Sequence, residues 1–454
     1  MVARCEEISS VHGSGETVET KLYRIAEKAR REPGFKFTSL YHLMNVELLR
    51  GCFRRLRKDA AAGIDKMTKD MYAENLETNL LDLVDRLQRM AYIPQPVRRK
   101  YIPKPGSAKQ RPLGIPCFED KLVQAGLVQI LESVFEQDFI KDSYGFRPAR
   151  SCHDALRALS ETVENKPVNH VVEADIKGFF DNVNQNWLMK FLAHRIGDKR
   201  IQRMVKRFLK AGVWEDGSVT VSDEGTPQGG VISPILANIY LHYGFDLWFE
   251  KIYRKSCTGV ARLIRYADDF VVCFQHKAEA ERFREELGKR LGKFGLEVEP
   301  TKTKAMEFGR FADQNAKRRG GRAETFDFLG FTHYCGTRKD GTGFRMKRAT
   351  ARKKFTAKLK VFKEWLKKAR TMKTKELWET AKTKLRGHYN YYGVTDNSHG
   401  IARFGYEVQK LLFKWLNRRG KKNCLNWAKF SEMRKRFPLP KPRIMVNMFD
   451  FTVN

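Results

Sequence analysis

A chain of 454 residues with 42% hydrophobic and 12% aromatic side chains is long enough for two or three domains with real cores and too apolar to be disordered. No run approaches the roughly 18 apolar residues a membrane span needs, and the start, MVARCEEISSVHGSGETVET, lacks the apolar core of a secretory signal, so a cytoplasmic protein with no membrane role is expected. Lys and Arg number 87 against 53 Asp and Glu, a formal net charge of +34, and an excess of that size repels itself unless a polyanion partners it.

In chain order, the polar N-terminal stretch gives way near residue 41 to apolar residues at helical spacing (YHLMNVELLRGCFRRLRKD) and then a Gly-Ile-Asp turn. NLETNLLDLVDRLQRM reads as a second amphipathic helix. AYIPQPVRRKYIPKPGSAKQRPLGIP holds six prolines among many cations, so it is extended strand and turn. EDKLVQAGLVQILESVFE is a helix, SYGFRPARSCHDAL a loop entering another, and VNHVVEADIKGFFDNV a strand ending in an acid. DEGTPQGGVISPILANIYLHYGFD is a Gly-rich loop running into an apolar helix. A hairpin around RLIRYADDFVVCF follows, then the helix KAEAERFREELGKRLGKF and a strand pair around FDFLGFTHYCG. This order suits an α+β sheet with helices packed on one face. Basic helices with interleaved Trp and Tyr close the chain, and 30 basic against seven acidic residues from Arg345 onward place +23 in the last quarter, as expected of a nucleic-acid-binding segment. The eight cysteines show no C-x-x-C spacing, which argues for reduced packing thiols and against zinc.

The hairpin poses the chemical question. Asp268 and Asp269 interrupt an apolar run, and buried carboxylates are costly unless paired or bound to metal. Asp is also a common turn residue, so a solvated hairpin tip explains an isolated pair. Asp175, at the end of HVVEADI, adds a third acid at a strand end. Three hard oxygen donors of this kind suit Mg²⁺ together with substrate phosphates, and a pair of such ions serves phosphoryl or nucleotidyl transfer.

The ordered blocks ADIKGFFDNV, TPQGGVISPILANIYL, RYADDFVV, GLEVEPTKTK and FDFLGF resemble the palm motifs of reverse transcriptases. More narrowly, AAGIDKMT, YIPKPGSAKQRPLGIP, SYGFRPARSCHDAL and LRGHYNYYG resemble the proteins encoded within bacterial group II introns, from about residue 45 to the end. The resemblance implies a right-hand polymerase of α+β class. Residues 1–45 would be a partly flexible N-terminal extension, 46–170 the fingers, 171–340 the palm, and 341–454 a basic helical thumb or maturase region with a DNA-binding-like tail. It implies two Mg²⁺ ions, with Mn²⁺ an acceptable substitute, held by Asp175, Ile176, Asp268 and Asp269. Lys302 would sit near the leaving pyrophosphate, with Lys304 as its rival.

By the same resemblance, Arg98, Lys104, Arg111, Phe180, Gln228 and Gly229 would bind the incoming nucleotide, Phe180 excluding a ribose 2′-OH. Gly145, Phe146 and Arg147 would contact template, and Phe328, Leu329 and Gly330 the primer end. Arg386, Tyr389 and Tyr391 would bind RNA from the thumb, since bases stack on aromatic and Arg planes. A helix-bundle core is the other reading of those tyrosines. Implied partners are group II intron RNA, a DNA primer or target and dNTPs, for a monomer or homodimer in the bacterial cytoplasm, associated with the nucleoid when it acts on DNA. The paired Cys and His of the endonuclease that ends many relatives are not found, so a form without it is expected. A relative domesticated for DNA repair or phage defence, and a non-catalytic RNA-binding splicing factor, are the alternative functions.

Overall fold

The computed structural model describes residues 16–103, 110–221, 224–225, 229–338, 340–419 and 425–451. The chain folds into two compact units, each assembled from separate stretches of sequence. One comprises residues 1–100, 113–139 and 184–239; the other comprises 101–112, 140–183 and 240–454. Among the described residues no helix is long and apolar enough to cross a membrane.

In the first unit the helix Phe118–Phe135 is buried around most of its circumference, as its apolar run requires. The N-terminal stretch, read as a polar extension, contains a 14-residue helix, Val18–Arg31. Its only fully buried side chains are Val18 and Ala29, so the apolar signal in the sequence is weak. Arg195 fixes this helix from a distance, donating to the Ala29 carbonyl and pairing with Asp138 at 2.7 Å. Asp198 caps the helix Lys199–Leu209 and also accepts from the Leu40 and Tyr41 N–H groups at 2.8 Å each.

The second unit is built on a four-stranded antiparallel sheet. Its strands lie in the order Ala261–Tyr266, Asp269–Phe274, His170–Asp175, Lys304–Glu307. Side chains alternate between faces. Phe270 and Phe274 meet Phe245 and Phe283 on one face. Val171, Val271 and Cys273 share a core with Ala155, Leu156 and Leu159 of the helix Cys152–Asn165 on the other. Elements therefore cover both faces, a correction to the one-sided packing expected. The reason is the FVVCF run itself, since a strand apolar at every position has two faces to bury.

The second core continues without a break into the C-terminal helices. Phe326, Phe328 and Phe331 of a three-stranded antiparallel sheet (Phe326–Phe328, Phe331–Thr337, Phe344–Thr350) join Trp378, Leu385, Tyr389, Tyr392, Phe404 and Val408 in it. The apolar helix Ser233–Leu241 also departs from expectation at its end, where His242–Asp246 and Phe249–Tyr253 are wider π-helical turns. Such turns often serve a function; here Asp246, fully buried, meets the equally buried Arg265.

Candidate active site

Tyr266 and Asp269 pair across the hairpin, leaving Ala267 and Asp268 as a two-residue turn. Ala267 adopts φ +57°, the positive value that two-residue hairpins need at their first central position. A non-glycine residue there is strained, and two contacts hold it. The Arg265 guanidinium, gripped by both Asp246 oxygens, donates to the Ala267 carbonyl at 2.9 Å. Gly145 packs so closely behind the turn that a Cβ on it would fall 2.2 Å from the Ala267 nitrogen.

Asp269 stands directly opposite Asp175 on the neighbouring strand. Period two then places Glu173 and Asp175 on one face with Asp269. Burial and the facing carboxylates push Asp269 up to about 7, with Asp268, Asp175 and Glu173 as the repelling neighbours. Burial also raises Asp268, with Arg111 and Arg265 pulling the other way. Glu173 is pushed up to about 7 by burial and the Asp327 charge. Clustered acids this hard to ionise call for a cation.

One cation is already present. The Lys302 ammonium bonds the Asp175 carboxylate, which raises the lysine above its ordinary value. Lys304, the rival, instead pairs across the strands with Glu173. Among the described residues no three His, Cys, Asp or Glu side chains gather into a complete metal cage. The opposed acids nonetheless fit Mg²⁺, which ordinarily takes one or two carboxylates and fills its shell from substrate phosphate and water. The Ile176 side chain is buried, so only its backbone is chemically suited to such a shell.

The family described as "Reverse transcriptase (RNA-dependent DNA polymerase)" matches residues 102–333. The chain belongs to the reverse transcriptase family. It is 39% identical over 222 residues to "Group II intron-encoded protein LtrA" of Lactococcus lactis subsp. cremoris, a match covering 49% of this chain and 37% of that protein. It is 38% identical over 273 residues to "Protein YkfC" of Escherichia coli strain K12, covering 53% and 71%. A weaker match, 25% over 187 residues, is to "Nuclear intron maturase 2, mitochondrial" of Arabidopsis thaliana, covering 32% and 25%. The chain thus spans little more than a third of LtrA.

The reverse transcriptase motifs place several expected residues together. Phe179 is buried while Phe180, after the left-handed Gly178, is half-buried. The exposed Phe146 ring approaches Phe180 edge-on at 6.5 Å. Arg111 is exposed and close enough to act on Asp268. Leu329 and Gly330 form the two-residue turn between the strands Phe326–Phe328 and Phe331–Thr337, both at positive φ. The Leu329 backbone lies close enough to Asp269 to pull its carboxyl down against the burial that raises it.

In the first unit, Arg98 is half-buried and donates to the Ala62 carbonyl at 2.6 Å, and Gly229 abuts Gly114, whose carbonyl oxygen lies 2.6 Å from where a Cβ would sit. Lys104 and Gln228 lie outside the described residues.

Three expectations are corrected. Arg147 is buried and donates to the Ile140 and Ser143 carbonyls at 2.8 Å each, so it braces its own loop and does not face a template. Tyr389 is 4% exposed, with its hydroxyl against Gly405, and has no surface for a base. The half-buried Tyr391 gives its hydroxyl to the Leu329 carbonyl, while Arg386 alone of that trio is exposed. Glu173 and the Arg265–Asp246 pair were not singled out from sequence. The signal available was an Arg set in an apolar strand, which needs a buried acid.

Proposed function

We propose that this chain is an RNA-directed DNA polymerase encoded by a group II intron, and that it also acts as a maturase. It would bind intron RNA to assist splicing and insert the intron into DNA by target-primed reverse transcription. The observation that carries this reading is the opposition of Asp175 and Asp269, with Asp268 in the adjoining turn, in a reverse transcriptase with the group II intron-encoded relative described above. When bound, two Mg²⁺ ions, or Mn²⁺ in their place, activate the primer hydroxyl and neutralise the leaving pyrophosphate. Asp175, Asp268 and Asp269, with the Ile176 backbone, would hold them.

The remaining roles fall to the chain's own groups. Lys302 balances Asp175 and would turn its charge onto the pyrophosphate once substrate arrives. Arg111 would offset triphosphate charge beside Asp268, with Arg98, Lys104, Gln228 and Gly229 completing the nucleotide contacts. Phe180 would close the space of a 2′-OH. Phe146 and Gly145 would border the template, and Phe328, Leu329 and Gly330 the primer end. Residues 46–170, 171–340 and 341–454 would serve as fingers, palm and thumb. The partners would be intron RNA, a DNA primer or target and dNTPs.

The test is primer extension on an RNA template with Asp268→Asn. Extension should vanish, since losing a metal ligand removes several kcal/mol of transition-state stabilisation, while RNA affinity should hold. Extension near the wild-type rate in that variant would sink the assignment.

A further inference from the structure

Phe180 is half-buried, so burial alone does not fix its ring, and an exposed side chain changes rotamer within nanoseconds. Two rings confine it. The buried Phe179 meets it edge-on at 5.3 Å and 73°. Phe146, from a loop distant in sequence, meets it at 6.5 Å and 67°. Rings in this range attract when the edge of one faces the other.

Phe146 is 45% exposed and sits at φ +59°, a region that bulky side chains rarely enter. An exposed ring gains little from the core, so the surrounding loop must impose that conformation. Arg147, buried beside it, donates to the Ile140 and Ser143 carbonyls at 2.8 Å each. The Tyr144 N–H donates to the Arg265 carbonyl at 2.8 Å, and the Arg265 N–H to the Asp142 carbonyl at 2.9 Å. Gly145 leaves no room for a side chain against Ala267. The Phe146 backbone is thereby tied to the strand and turn that carry Asp268, so its ring is held relative to the acids as well as to Phe180.

We infer that Phe146 is a positioning residue for sugar selection: its ring backs Phe180 and keeps that side chain in the space a ribose 2′-OH would need. The inference rests on the polymerase reading and on Phe180 as the residue that excludes the 2′-OH. It gives Phe146 a task besides bordering the template. With the Phe146 ring gone, Phe180 turns into the vacated space and a ribonucleotide fits more easily.

Single-nucleotide incorporation with dGTP and GTP competing on one template tests this, because any loss of template affinity cancels from the ratio. Phe146→Ala should raise the use of GTP relative to dGTP about fourfold, the equivalent of about 0.8 kcal/mol and within what one edge-on ring contact supplies. Phe146→Asn places a side chain that tolerates positive φ and should give the same ratio, so that the effect follows the ring and not the backbone. It also serves if Phe146→Ala fails to fold. In a chain already carrying Phe180→Val, Phe146→Ala should change the ratio by less than about 1.5-fold, because no ring is left to back.

A ratio unchanged in both Phe146 variants while Phe180→Val relaxes it would overturn the proposal. So would a change in Phe146→Ala that Phe146→Asn does not share. Effects of Phe146→Ala and Phe180→Val that simply multiply in the double variant would overturn it as well, since that is the behaviour of independent sites. A wild-type chain that incorporates neither nucleotide overturns the polymerase reading, and an unchanged ratio in Phe180→Val overturns the 2′-OH reading. This proposal falls with either, and it falls alone when Phe180 matters and Phe146 does not, so the failures are distinguishable.

Discussion

Two adjacent phenylalanines, Phe179 and Phe180, have identical side chains and opposite surroundings. A 3-10 turn after Gly178 at φ +55° points the first into the core and leaves the second half-exposed beside Phe146. Sequence alone could name Phe180 by its offset from Asp175, but not show that its neighbour takes the core position. If Phe180 closes the sugar pocket, Phe180→Val opens it, and single-nucleotide incorporation should show GTP used at least tenfold better relative to dGTP. Unchanged discrimination would return Phe180 to simple packing. The acids themselves were legible because strand-end carboxylates in apolar runs have few structural explanations. Arg265 was less so, since its partner Asp246 is 19 residues away in a π-helical turn that no periodicity announces. Arg265→Met should strand Asp246 as a buried charge and destabilise the fold by about 3–5 kcal/mol. Denaturant unfolding checks this, and a change under 1 kcal/mol would mean the pair is dispensable.

Among the elements, long helices and apolar strands were readable from period and composition, and the same features explain where the reading stopped. The tyrosines of LRGHYNYYG show no mark in the sequence that separates stacking on a base from filling a core. Only the approach of Gly405 to Tyr389 and of Leu329 to Tyr391 decides it. The helix Phe118–Phe135 carries a further consequence of its burial. Glu132 is pushed up to about 7 by desolvation, with Glu136 one turn on adding repulsion. In the unfolded chain this carboxyl ionises near 4.5. Between those values the folded state holds more protons, so this group's contribution to stability is complete below about pH 4.5 and lost as pH rises through about 7. Glu132→Gln should remove that slope. Relative to wild type it should gain about 1 kcal/mol above pH 7, once partial exposure is discounted. Chemical denaturation at pH 5 and pH 8 reads the difference, and an equal offset at both would show that Glu132 titrates normally.

For the whole molecule, the dominant physical fact is charge, and it was legible from the first count of residues. What composition could not show is how cleanly one helix divides it. In Arg352–Lys368 the buried positions are Ala357, Phe362 and Leu366, while Arg352, Lys353, Lys354, Lys358, Lys360, Lys363, Lys367 and Lys368 are exposed. None of these eight makes an ion pair among the described residues. The segment from Arg345 carries +23 of the net +34, so internal pairing cannot neutralise it. A polyanion can, and each phosphate it brings releases a counterion, which makes log K fall with log salt at about 0.9 per phosphate neutralised. Replacing Arg352, Lys353, Lys354 and Lys358 with Gln leaves the buried stripe intact, so the helix should fold. Binding of intron RNA, measured by filter retention across a salt series, should weaken, and the slope should flatten by roughly one unit for each phosphate left without its cation. Extension on a short, saturating template should change little, because Asp175, Asp268 and Asp269 are untouched, whereas splicing of a long intron should suffer. An unaltered slope would mean that these cations are merely solvated and that the RNA is gripped elsewhere.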